Sequence, residues 1–263
     1  MATFKLALGA GHGINTAGKR CLKSLDPNET PEWVLNDRIA DKVENILAGY
    51  SGVEVLRLDD SDDGAADIAL AARVKNANDW GADFYLSIHH NAGIKGGNGG
   101  GIVAYCYGGG SKASFEWRDE LYEALIEHTG LRGNRANPKT TASHYVTRRT
   151  DMPSVLLELG FMDSATDVPI ILTDEYAHSC AEAIVEVVAQ RWDLKKRVED
   201  MPMTQEQFDA MMEDWLNRRG GLPASAWSKM AEAKAAGITD GTRPQSFATR
   251  EEVATMIVSS KGE

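Results

Sequence analysis

Three stretches of the 263-residue chain end an apolar run with a side chain able to bind a metal or move a proton. Gly9-Ala-Gly-His12-Gly presents an imidazole after a strand-like start. Ser87-Ile-His89-His90-Asn91 presents two more, and Leu156-Leu-Glu158-Leu-Gly-Phe-Met a carboxylate. A fourth stretch, leading into a helix-like pattern, adds Glu29 and Glu32. A catalytic zinc takes three nitrogen or oxygen ligands and keeps one position open for water. A nearby carboxylate can then accept the proton of that water. The inventory meets this requirement, but spacing alone does not select it: a compact metal motif such as His-Glu-x-x-His is absent, and either glutamate of the fourth stretch could be the ligand.

The elements that must position these groups alternate in type. Phe4–Leu8, Val53–Arg57, Phe84–His89, Ile102–Tyr107 and Ser154–Leu159 read as strands. Leu35, Ile39, Val43 and Ile46 recur at helical spacing, as do Phe115, Leu121 and Leu125, and Ala181, Ile184, Val185 and Val188. Asp67 to Trp80 reads as a helix with Asp67 as N-cap, and Tyr145-Val-Thr-Arg as strand-like. The alternation predicts an α/β fold, a twisted, mostly parallel sheet flanked by helices, in which ligands bind beyond the carboxyl ends of the strands. Adjacent strand residues point to opposite faces, so if His89 faces the site, His90 is structural. His128 and His178 read as surface or capping residues, and His144 as core or surface rather than pocket.

Composition excludes other classes. The net charge of −11 argues against sequence-independent nucleic-acid binding. No apolar run approaches the ~20 residues of a membrane span. The three cysteines, Cys21, Cys106 and Cys180, are scattered and odd in number, which predicts free thiols. The first residues read as a strand rather than a signal peptide, predicting synthesis in the cytoplasm. Organisation changes near Lys195: residues 1–194 form the larger unit, 195–203 a charged linker and 204–263 a small helical module. Capping boxes at Thr204/Gln207 and Thr249/Glu252 open two of its helices. A module of this size sits near the lower limit of independent stability, so oligomerisation through it is an expectation.

From Lys5 to Trp192 the chain resembles the zinc-dependent N-acetylmuramoyl-L-alanine amidases of the type 3 group, which includes phage endolysins and bacterial autolysins. Gly11-His12-Gly13 resembles the opening Gly-His-Gly of that family, and Glu32-Trp-Val-Leu-Asn36 its Glu-x-x-x-Asn block. Arg73-Val-Lys-Asn-Ala-Asn78 with Ala82-Asp83-Phe-Tyr-Leu-Ser-Ile-His89-His90-Asn91 is similar to its central block, and Leu157-Glu158-Leu-Gly-Phe-Met to its last. Asp163-Ser164 departs from the Asn that often follows there.

The resemblance implies one Zn2+ held by His12, Glu32 and His89, with Glu158 as catalytic proton acceptor. It favours Glu32 over Glu29. The implied reaction is hydrolysis of the amide between N-acetylmuramic acid and L-alanine in peptidoglycan, most simply by a phage endolysin acting after release through a holin-type pore or cell lysis. A sporulation or mother-cell autolysin of the same chemistry and a zinc peptidase cutting the stem peptide are the alternatives. Asn91 and Arg148 are expected to contact substrate. In the tail, Trp227 to Pro244 and Ala248 to Ile257 resemble one S-layer-homology repeat, which implies wall binding.

Overall fold

The computed structural model describes residues 3–197. The predicted module at 204–263 and most of the linker lie outside the described residues.

The chain runs β1 (Phe4–Ala10), α1 (Glu32–Ala48), β2 (Tyr50–Ser51), β3 (Val53–Arg57), α2 (Leu70–Trp80), β4 (Phe84–Asn91), β5 (Ile102–Cys106), α3 (Lys112–Thr129), β6 (Lys139–Thr141), α4 (Tyr145–Arg149), β7 (Ser154–Phe161), α5 (Val168–Ile171), α6 (Asp174–Trp192) and β8 (Lys195–Lys196). Six strands form one sheet in the order β3-β1-β4-β7-β5-β6. Every neighbouring pair is parallel except β5 and β7. Lys195 and Lys196, assigned to the linker from sequence, pair antiparallel with Tyr50 and Ser51, so the ordered unit continues past residue 194.

The central strands are apolar on both faces, as a doubly covered parallel sheet requires. On one face Leu6, Leu8, Leu86, Ile88, Val155 and Leu157 pack against α1, α3 and α6 through Leu35, Ile39, Trp117, Leu121 and Ile184. Trp117 stacks on Phe84 with ring centroids 4.0 Å apart. On the other face Ala7, Tyr85 and Leu156 meet Val74 and Ala77 of α2 and Val146 of α4. The second face carries the smaller apolar cluster.

Two local expectations change. The helix expected from Asp67 begins at Leu70, with Ala69 in the capping position. Asp67 instead accepts a hydrogen bond from the Thr16 hydroxyl at 2.7 Å, and the Gly64–Asp67 backbone packs on Gly13. The segment before α2 is thus spent on shaping the loop after β1. Tyr145-Val-Thr-Arg is helical rather than extended. Arg148 N–H bonds to the His144 carbonyl at 3.1 Å, while Val146 turns inward to Leu156. Packing on a sheet face decides the conformation here over β-propensity.

A charge cluster fixes the end of β1. The Arg57 guanidinium donates to Asp37 at 2.5 Å, Asp41 at 2.6 Å and Asp59 at 2.8 Å. Asp59 in turn accepts the Ala10 N–H at 3.0 Å. Burial, only partly offset by Arg57, pushes the Asp37 carboxyl up to about 6. Removing the shared cation leaves buried carboxylates uncompensated, a loss of about 3–5 kcal/mol. Arg57→Met is therefore expected to lower the chemical-denaturation midpoint by that amount, whereas Asp41→Asn, at the exposed rim, shifts it by less than about 1 kcal/mol.

Candidate active site

His12, Glu32 and His89 converge, with one donor atom from each lying within 4.8 Å of the others. They arrive by three routes. His89 is near the end of β4 and pairs in register with Glu158 of β7, so both side chains leave the same sheet face. His12 lies two residues beyond β1 in the left-handed region, at φ 68°. Glu32 opens α1.

The His12 loop is clamped by Arg73 of α2. Its buried guanidinium donates to the carbonyls of Ala10 and, at 3.0 Å, His12, and its Nε to that of Ile68 at 2.9 Å. Asn36, one turn into α1, donates to the Gly11 carbonyl at 3.1 Å and contacts His90 Nδ1 at 2.8 Å. His90 is accordingly buried and structural, as its strand position predicts. Gly11 has no room for a side chain: a β-carbon there would overlap the His89 ring. The two imidazoles stand edge to face with centroids 5.0 Å apart.

Glu32 is 1% exposed. Its Oε1 lies 3.0 Å from His89 Nδ1 and accepts the His90 N–H at 3.2 Å. Its Oε2 is 3.3 Å from His12 Nε2 and 3.7 Å from Lys19 Nζ, yet makes no hydrogen bond. Burial works to raise this carboxyl, but the two imidazoles outweigh it and hold it below the usual carboxylate range. His89 is held below the usual imidazole range, chiefly by burial. A charged carboxylate with one oxygen orphaned and two imidazoles, from Glu32, His12 and His89, form a donor set that suits a divalent cation such as zinc. Glu29, the competing acid, pairs instead with Lys23 at 3.0 Å in a solvated loop.

Glu158 has the opposite environment. Burial, then the charge of Glu32, raises its carboxyl to about 8, with Lys19 opposing. Its Oε2 is buried without a partner.

The other sequence-predicted residues lie nearby or elsewhere. Asn91 ends β4, its Oδ1 accepting the Ala92 N–H at 2.8 Å. Arg148 is exposed on α4 and donates to the Ser143 hydroxyl at 3.2 Å. His128 and His178 sit outside the cluster beside Glu186 and Glu182, at 2.9 and 3.4 Å. The glycine-rich stretch after β4 is tied down: Asp163 Oδ2 accepts the N–H groups of Gly93 and Lys95, and Asp167 those of Gly101 and Phe161. All three cysteines are free and buried. Sequence reading gave Arg73 no role of its own; its signal was a lone arginine on the buried face of a helix.

A mostly parallel α/β sheet with a His-Glu-His cluster and a buried second glutamate at its carboxyl edge is an arrangement that could hold a metal ion and move a proton beside it, the requirements of a hydrolase. The family model described as N-acetylmuramoyl-L-alanine amidase matches residues 6–190, and the chain belongs to that family. The amidase CwlM of Bacillus licheniformis is 31% identical over 193 residues, spanning 73% of this chain and 70% of the relative. An endolysin of Bacillus phage SPP1 is 29% identical over 190 residues, spanning 72% and 66%. Among solved structures, an N-acetylmuramoyl-L-alanine amidase from Clostridium difficile 630 superposes with a TM-score of 0.65 at 26% identity, over 73% of this chain and 98% of that one.

Two outcomes follow from this geometry. Gly11→Ala displaces the His89 ring, so zinc affinity measured by chelator competition is expected to fall at least about tenfold while the fold, read by circular dichroism, persists. In metal-free protein, folded Glu158 keeps its proton up to about pH 8, whereas the unfolded carboxyl loses it near its ordinary 4.5. Folding stability supplied by this group is complete below the lower value and declines as pH rises between the two. Glu158→Gln cannot titrate, so its stability relative to the parent chain should increase from pH 4.5 to 8; a pH-independent difference would contradict the assignment.

Proposed function

We propose that this amidase cuts the bond between the lactyl carbonyl of N-acetylmuramic acid and the first L-alanine of the peptidoglycan stem peptide, with one zinc ion held by His12, Glu32 and His89. The observation that carries this reading is the donor cluster, closed to within 4.8 Å, beside a register-paired Glu158. Zinc bound there supplies Lewis acidity, which acidifies a water molecule and polarises the amide carbonyl.

The chain's own groups do the rest. Glu32, charged and immobilised, binds and orients. His89 and His12 are locked by Glu32, Gly11 and Arg73, so little reorganisation accompanies the reaction. Glu158 takes the proton of the attacking water and delivers it to the departing alanine nitrogen as the carbon–nitrogen bond breaks. Arg148 and Asn91 remain candidates for contacts to the stem peptide. The tail at 204–263 we assign to wall binding on its S-layer-homology-like segment.

Relatives include both the SPP1 endolysin and a sporulation-specific amidase of Bacillus subtilis (strain 168), 31% identical over 193 residues. We favour a lytic, endolysin-type role acting on the wall after release; a sporulation amidase would use the same site. Among the described residues no helix is long and apolar enough to cross a membrane.

The test is digestion of purified cell wall followed by mass spectrometry. Stem peptides with a free L-alanine amine are expected; peptides cut internally would support a stem-peptide peptidase instead. Chelation should abolish release and zinc restore it. Glu158→Ala should keep its zinc and lose about 10²–10⁴-fold in kcat; undiminished turnover would remove the proton role.

A further inference from the structure

One charged side chain at the His-Glu-His cluster has no task in the reaction as described. The Lys19 ammonium lies 3.7 Å from Glu32 Oε2, the oxygen that also approaches His12 Nε2 at 3.3 Å. That separation is within ion-pair range but longer than a hydrogen bond, and Oε2 bonds to nothing. The two ends of the contact differ in access: the Lys19 side chain is 44% exposed and that of Glu32 1%. The ammonium therefore stands at the mouth of the cluster, turned on one side to the buried carboxylate and on the other to solvent.

Backbone bonds fix it there. The Glu32 N–H donates to the Lys19 carbonyl at 2.9 Å, the Cys21 N–H donates to the Thr30 carbonyl at 2.9 Å, and Arg20 and Pro31 form an antiparallel bridge. Residues 19–21 are thus zipped to the segment that opens α1. The Lys19 N–H donates in turn to the Thr16 carbonyl at 3.3 Å. The Thr16 hydroxyl accepts the Gly13 N–H at 3.0 Å, which ties the lysine to the loop that carries His12.

Among the described residues Glu32 is the one acid within ion-pair distance of Lys19 Nζ. A divalent cation on the cluster would claim that carboxylate's charge. The ammonium would then lack a counter-charge, in a chain whose net charge is −11. Its field also reaches Glu158, where it opposes the upward push of burial and Glu32. An accessible ammonium beside the reacting groups, without an anion of its own, suits an anion brought by the substrate. In the stem peptide the first ionisable group beyond the scissile amide is the α-carboxylate of D-isoglutamate, the second residue, which continues the chain through its γ-carboxyl. The 3.7 Å from the cluster-facing oxygen to the ammonium matches the advance of one residue along an extended peptide, ~3.3–3.6 Å.

We propose, on the reading of the reaction given above, that Lys19 is a substrate-binding residue of this amidase whose ammonium pairs with the free α-carboxylate of the second stem-peptide residue. The enzyme then prefers stems in which that carboxyl is not amidated.

The test uses the full-length zinc enzyme and two muramyl tripeptides that differ only in whether the D-isoglutamate α-carboxyl is free or amidated, with kcat and KM separated. The parent enzyme is expected to favour the free acid by about tenfold in kcat/KM, mainly through KM. Lys19→Met should lose that factor on the acid and change less than about twofold on the amide, whereas Lys19→Arg keeps the preference. Zinc affinity, measured by chelator competition, should not fall in Lys19→Met, because the substitution removes a cation from beside the cluster. Equal treatment of the two substrates by the parent enzyme overturns the proposal. So does a loss in Lys19→Met that is the same on both substrates or that accompanies weaker zinc binding, since the lysine then serves the metal site. A preference that survives Lys19→Met and vanishes in Arg148→Met overturns it in favour of α4. If the parent enzyme releases no L-alanine-terminated peptide from either substrate or from cell wall, the proposed function itself fails instead.

Discussion

A carboxylate buried between two imidazoles governs the architecture of this protein. Taking Glu32 out of water costs several kcal/mol unless the charge is met by donors or cations. Each neighbour answers that demand. The His90 N–H and His89 Nδ1 serve one oxygen, and His12 and Lys19 approach the other without satisfying it. A cation there would satisfy it, and the surrounding elements bring one donor atom each of His12, Glu32 and His89 within 4.8 Å of one another.

That arrangement depends on opposite uses of rigidity. β4 and β7 deliver His89 and Glu158 by parallel register, which leaves no freedom in their relative height. The loop after β1 delivers His12 by strain. A non-glycine residue at positive φ costs of order 1–3 kcal/mol and persists only where its surroundings over-determine it. Arg73 does so by gathering the carbonyls of Ala10, His12 and Ile68 around one buried guanidinium, and Asn36 by holding Gly11 to His90. The Arg57–Asp59 brace on Ala10 extends the same clamp to the far side of β1.

The site's chemistry was legible because its groups end apolar strands, and periodicity finds strands well when both faces are buried. His12, His89 and Glu158 stand where such runs meet loops. The choice between Glu29 and Glu32 was not a matter of periodicity; it needed resemblance, and the structure buries Glu32 at the start of α1 in one cluster with His12 and His89 while Glu29 pairs with Lys23. Arg73 was quoted within a motif but given no role, because an arginine that binds backbone carbonyls leaves no pattern in neighbouring side chains. The helix α4 was missed for a related reason: Tyr145-Val-Thr-Arg has the composition of a strand, and the burial of Val146 in the apolar cluster with Leu156 goes with a short helix instead. Asp67 looked like a cap because nothing local shows that Thr16, far along the chain, competes for it.

Two glutamates share this site, and their environments drive them apart. Glu32, with imidazoles and an N–H around it, is held charged; Glu158, buried and in the field of Glu32, is held protonated up to about pH 8. Such divergence can fit two carboxylates of the same residue type to different tasks, one to stay charged and one to exchange a proton. It also couples the two functions. A divalent cation seated on Glu32 would offset the electrostatic share of the push on Glu158, which is second to burial, and would add a positive field of its own. Both effects would lower the Glu158 carboxyl, so the two glutamates are coupled through the charge that the cluster carries.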